Sequence, residues 1–155
     1  MSMKSLAVGL CMFILAAPWL HAIGVSFLVM ETGLAPDNAT SQYSVMWENS
    51  LLEVFFDSGY IVTNAPRMRL TDAAAPEGFP VEAERDHEDA RDGGMDYFLI
   101  AIVDHPSHDV SLRLFSTRSR EVVAEITHAG GPAWNSREEH ENIRRSVRAM
   151  AALLR

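Results

Sequence analysis

The chain has 155 residues, 48% of them hydrophobic, and 13 lysines and arginines against 21 acids, for a net charge of −8. That balance argues against nucleic acid and anionic membrane surfaces as partners, because both are gripped by clustered positive charge. A single cysteine, Cys11, leaves no disulfide framework and no cysteine-ligated zinc to hold the fold, so an unaided core must do it.

From Ser5 to Met30 no side chain carries a formal charge. Lys4, the apolar block Leu6 to Ala17, Pro18 and then Leu20-His21-Ala22 have the order of a secretory leader cut after Ala22. Residues 1–22 are therefore expected to be a signal peptide. The remaining 23–155, about 133 residues, suit one domain. Cys11 does not read as a lipid-modified cysteine, because Leu10 before it is not small and it falls in mid-leader. The alternative is a retained anchor over residues 6–30, long enough to span a bilayer. Against it, Ile23, Val25, Phe27 and Val29 alternate as in a strand, and Pro18 interrupts a single helix. Either way the bulk of the chain faces away from the cytoplasm, and export to the periplasm or beyond is the expectation.

Strand one is expected over Ile23–Met30, then a loop over Glu31–Ala39 containing Gly33 and Pro36. Thr40 or Ser41 caps a helix to about Asp57, with Tyr43, Met46, Trp47, Leu51, Val54 and Phe55 at helical spacing. Leu52 and Phe56 widen that stripe, and Gly59 ends the helix. Tyr60–Thr63 reads as a short strand, broken by Asn64-Ala65-Pro66. Residues 71–94 turn acidic, and over 80–92 a thin stripe of Val81, Ala83 and Ala90 predicts a short surface helix closed by Gly93, or a mobile segment.

Asp96–Val103 is apolar without alternation, as in a central strand covered on both faces. Val110–Ser116 and Val122–Thr127 alternate and form a hairpin. Core matching places Leu112 and Leu114 opposite Ile126 and Ala124, and Arg113 opposite Glu125, which requires an odd loop such as Arg118-Ser119-Arg120. Ser136 and Glu139 form a capping box opening a last helix whose inner face is His140, Ile143, Val147, Met150, Ala151 and Leu154. The fold class expected is α/β (α+β): one mixed, mostly antiparallel five-stranded sheet in the order β-α-β-(α)-β-β-β-α.

Chemistry is sparse. Asp104, His105, His108 and Asp109 share one loop and have ligand types suited to a divalent metal, but Asp, Pro and Ser belong in a strand connection anyway. Neighbouring carboxylates such as Glu82/Glu84 and Glu138/Glu139 read as solvated faces rather than acid–base pairs. No Gly-x-Ser-x-Gly elbow or phosphate loop is present, and Asn38-Ala39-Thr40 is only a short sequon match. No catalytic residue and no cofactor is assigned. Trp134, in a Gly/Pro loop, is placed either over the end of the sheet or in a partner contact.

A strand directly after the leader, a long helix ending near glycine, a short strand, then Gly93-Gly94-Met95-Asp96-Tyr97-Phe98-Leu99, a three-strand meander and a terminal helix complete a recognisable order. It resembles a bacterial envelope group: the curli-secretion channel protein, the lipoprotein activators of penicillin-binding proteins, and the N-terminal domain of the Tol-system propeller protein. The chain departs from the lipoprotein members in lacking a suitable cysteine. The resemblance implies a non-enzymatic envelope scaffold that contacts another envelope protein. The alternatives are a small metal-binding protein or metal-dependent enzyme using the His105/His108 loop, and a single-span anchored ectodomain.

Overall fold

The computed structural model of the chain describes residues 22–34, 41–70 and 78–155. The expectations for the leader before Ala22, for Thr40 as a cap, for the sequon and for residues 71–77 lie outside these. The elements are β1 (Gly24–Thr32), α1 (Gln42–Asp57), β2 (Ile61–Asn64), β3 (Met68–Arg69), a 3₁₀ turn (Val81–Ala83), α2 (Glu84–Asp92), β4 (Tyr97–Asp104), β5 (Val110–Ser116), β6 (Val122–His128) and α3 (Arg137–Ala152). The α/β class expected from the sequence is the one found.

The sheet runs β2-β1-β4-β5-β6, with β3 also paired to β1. It has six strands rather than five, because the chain resumes pairing after Pro66, setting Met68 and Arg69 beside Met30 and Glu31. It is also evenly mixed rather than mostly antiparallel. β1 is parallel to β2, β3 and β4, whereas β4–β5 and β5–β6 are antiparallel. The reason is that α1 and α2 are crossover helices, each returning the chain to a strand that runs in the direction of β1.

β1 is buried along all nine residues and β4 along its whole middle. Period-two alternation divides their side chains between two apolar clusters. Val25, Phe27, Val29, Leu99, Ala101 and Val103 face α1 and α3. Leu28, Met30, Phe98, Ile100 and Ile102 face α2. A strand buried on both faces needs no polar side, which is why β4 reads as a continuous apolar run.

The hairpin has the expected pairing: Leu112 with Ile126, Leu114 with Ala124, Arg113 with Glu125. The turn, however, is not odd. The Ser116 N–H donates to Glu121 O, and the register shifts between Leu114 and Phe115, which pairs with Val122. A bulge on β6 absorbs the one-residue mismatch, so an even loop coexists with face-matched strands. Arg120 takes the left-handed conformation there at φ 59°.

Each helix departs from expectation in one place. Ser41 caps α1, its hydroxyl accepting from Ser44 N at 3.4 Å. But Leu52 and Phe56 are not core; they are 44% and 70% exposed. They share a flank with Glu48, which reaches Asn64 and Arg67 at the sheet's edge, and none of the described residues covers them there. Along the 3₁₀ turn and α2 the inner residues are Ala83 of the turn and His87 and Ala90 of the helix, while Val81, 74% exposed, points outward from the turn. The acidic stretch 84–92 is a helix, and Gly94 (φ 77°), not Gly93, supplies the left-handed closing residue. Two residues on, Asp96 Oδ2 accepts from Gly24 N at 2.9 Å, so the Gly-x-Asp motif ends α2 and ties it to the start of β1.

In α3 the capping box is only half made. The Ser136 hydroxyl accepts from Glu139 N at 3.1 Å, but the Glu139 carboxylate turns inward instead of reaching back. Glu139 therefore takes the inner place given to His140, which is exposed.

Candidate functional site

The Asp104–Asp109 loop is held by its own side chains. Asp104 Oδ1 accepts from Thr32 Oγ1 at 3.2 Å, and its Oδ2 accepts from the backbone and hydroxyl of Ser107. Asp109 Oδ1 accepts from Gly130 N at 3.1 Å. His108 has φ 61°, and a Cβ on Gly130 would lie 1.9 Å from its carbonyl oxygen, so only glycine allows this approach of the loop to the end of β6.

The two loop histidines serve different neighbours. His105 turns inward, with Nδ1 3.3 Å from Ser41 Oγ and Nε2 3.2 Å from Ser44 Oγ. Its Nε2 is also 3.6 Å from Glu31 Oε1. Burial pushes the His105 pKa down, and the Glu31 charge opposes that shift in part. His108 instead stacks on Trp134, centroids 5.8 Å apart at 19°, and meets the edge of Tyr43. The contacts of Asp104, His105, His108 and Asp109 are thus directed to four separate places. Among the described residues no three His, Cys, Asp or Glu side chains are grouped as metal ligands.

Glu31, assigned to a loop from sequence, is in β1 and only 5% exposed. Its Oε2 is 3.7 Å from Arg69 Nε, and its Oε1 makes no hydrogen bond. A second buried network joins α1, β6 and α3. Tyr43 donates to His108 O at 2.8 Å, with Glu139 Oε1 at 3.2 Å as a second acceptor. Burial above all, with the nearby Glu139 charge adding to it, lifts the Tyr43 pKa to about 12. His128 Nε2 is 2.8 Å from Glu139 Oε1 and its Nδ1 3.0 Å from Ser146 Oγ.

Both networks contain serine, histidine and glutamate, and neither has the geometry of a hydrolase. Ser44 and Glu31 approach the same ring nitrogen of His105, whereas a triad needs nucleophile and orienting acid on opposite nitrogens of the histidine base. Ser44 is also fully buried. Ser146 lies in the middle of α3, where helix hydrogen bonds occupy the backbone N–H groups an oxyanion would need. These side chains lock the helices to the strand ends.

An open groove runs along the α1–α3 seam. Its larger part is about 500 Å³ and is lined by Val45, Met46, Asn49, Trp134, Asn135 and His140, among others. Trp134 is half-buried, held by His108 and by Tyr43 at 5.9 Å. Arg144 pairs with Glu53 across the seam and also lines the groove's continuation toward the ends of both helices. The sequence singles out Trp134 and the histidine loop, but not that the loop supports the tryptophan. It passes over Ser44 and His128, gives Glu31 as the start of a loop, and gives Glu139 as a capping residue on a solvated face, whereas the Glu139 carboxylate is largely buried against His128. Only the uninterrupted Met30-Glu31-Thr32 run signalled that β1 extends past Met30.

The fold is similar to that of known bacterial proteins. A point variant of the PelC dodecamer from Paraburkholderia phytofirmans matches with 16% identity over 86% of this chain and 90% of that one, at a TM-score of 0.53. A second PelC dodecamer structure from the same organism matches with 16% identity over 86% and 87%, at 0.51. The C-terminal domain of LpoB from Escherichia coli matches with 13% identity over 79% and 93%, at 0.47. At these identities the likeness is one of fold alone. No curated protein matches the sequence. Residues 25–124, from the second residue of β1 into β6, match a single family, and the chain belongs to that family, whose description is "Uncharacterised protein".

Proposed function

We propose that this chain is an exported, non-enzymatic domain of the bacterial envelope that binds another envelope protein along the α1–α3 seam. The observation that carries the reading is the groove itself: an open channel in which Val45, Met46 and the half-buried Trp134 sit among polar side chains, while both serine–histidine–glutamate networks are spent on internal contacts. Open apolar grooves with a few polar groups are where partners dock. The envelope address is supported by the charge-free leader behind Lys4 and by the shared fold with PelC. Cleavage after Ala22 would leave β1 beginning two residues later. A retained span over residues 6–30 is not compatible with the sheet, because Gly24–Met30 form β1; any anchor would have to end before Gly24.

Photo-cross-linking from Asn49 in intact cells tests this. A discrete adduct with one envelope protein is expected, together with a mature chain whose N-terminus is Ile23. Unmodified chain in every fraction, or full-length material confined to the cytosol, would remove the proposal.

A further inference from the structure

We infer that the continuation of the seam is a docking site for an acidic, amphipathic segment of the partner. This rests on the function proposed above and adds the chemistry of what is bound. The chain is acidic overall, at −8. Yet Arg144, Arg148 and Arg155 line one groove of about 330 Å³ between the ends of α1 and α3. Arg144 is committed to Glu53. Among the described residues, Arg148 and Arg155 have no ion-pair partner. Asp57, also in the lining, is the acid nearest to hand in this stretch and does not pair with either. Two unpaired guanidinium groups in a concave site focus a positive field against a negative background, and their forked donors match carboxylates.

The floor is apolar. Val54 and Ala151 are buried there, 3% and 2% exposed. Leu153, next along the chain to the lining residue Ala152, exposes a large apolar side chain, 56%. A ligand that satisfies both features carries acids and apolar groups on one face, as a short amphipathic helix does when laid in a groove between two helices. An extended polyanion or an anionic bilayer would meet the acidic remainder of the surface as well, and be repelled by it.

The test uses the purified mature chain and three labelled peptides of equal length: a Leu/Glu amphipathic helix, its Leu/Lys counterpart and a Ser/Glu version, alongside phosphatidylglycerol vesicles. The Leu/Glu peptide is expected to bind, to weaken as salt rises, and to lose at least tenfold in affinity in the Arg148→Glu/Arg155→Glu variant. Both positions are exposed, and circular dichroism with a melting curve confirms that the variant folds. Equal binding of the Leu/Lys peptide, no loss in the variant, or stronger binding to vesicles than to the Leu/Glu peptide overturns the inference. The Asn49 cross-link separates the two claims. An adduct that survives the double charge reversal sinks the acidic-segment inference alone. An adduct missing from the unaltered chain sinks the interaction module with it.

Discussion

The two faces of the sheet are built differently. On one, α1 and α3 cover a continuous core that includes Trp47, Tyr43, Phe27, Leu112 and Val147. On the other, the nine-residue α2 covers a smaller cluster through Ala83, Ala90 and an imidazole. His87 is fully buried, packed between Phe79 and Phe98, and among the described residues no hydrogen-bond partner lies within bonding distance of its ring nitrogens. The first face places most of its polar atoms in networks that join elements, although Trp47 Nε1 and Glu31 Oε1 are buried there without a hydrogen bond among the described residues; the second packs one polar ring between aromatic side chains. The α2 face has the shorter helical cover and the smaller apolar cluster, and should open before the α1–α3 face does.

The sharpest way to break that contrast is on the large face. Trp47→Ala removes the largest fully buried side chain there and should cost about 3–5 kcal/mol in urea unfolding, with all elements lost together. A small loss confined to α1 would show that this face is not the cooperative core.

On the other face His87→Leu should stabilise the protein by about 1–3 kcal/mol, because it removes an unsatisfied buried group. The effect should grow in acid. Burial holds the His87 pKa below its ordinary 6.5, so in the folded state the ring stays neutral while the unfolded chain takes up a proton. Stability is thus full above about pH 6.5 and is lost progressively as pH falls toward the depressed folded pKa. His105, shifted in the same direction, adds to this slope. Hydrogen exchange at pH 5 should show α2 amides exchanging faster relative to α1 than at pH 7.5, and the difference should vanish in His87→Leu. An unchanged pH slope in that variant would refute the assignment.

The smallest effect belongs to the cap of α3. Ser136→Ala should cost about 1 kcal/mol by orphaning Glu139 N. If the Glu139 carboxylate is anchored by His128 and Tyr43 as the structure has it, α3 should fray by no more than its first turn, readable as faster exchange at residues 137–140 alone.

Much of the scaffold was legible in the sequence. β4 could be read because its apolar run allows no wet face. The β5–β6 pairing could be read because a one-residue slip would set Leu112 against Glu125. The helix starts at Ser41 and Ser136 were visible because caps are local chemistry. What misled was anything that depended on neighbours. Leu52 and Phe56 have the spacing of core residues, but among the described residues β2 is the edge of the sheet and leaves them exposed. Glu31 looks like the start of a loop, but pairing with Val103 and Arg69 keeps it in the sheet.

The sequence by itself determined the elements and the sides of the strands that face inward, because hydrophobic periodicity, caps and turn residues act over a few positions of the chain. Tertiary structure alone decided that β1 would be flanked by parallel strands, that His105 and His108 would part company, and that Trp134, Arg144 and Arg148 would share one seam. Those outcomes come from residues tens of positions apart whose meeting is set by how the helices cross the sheet, and no local pattern encodes that distance.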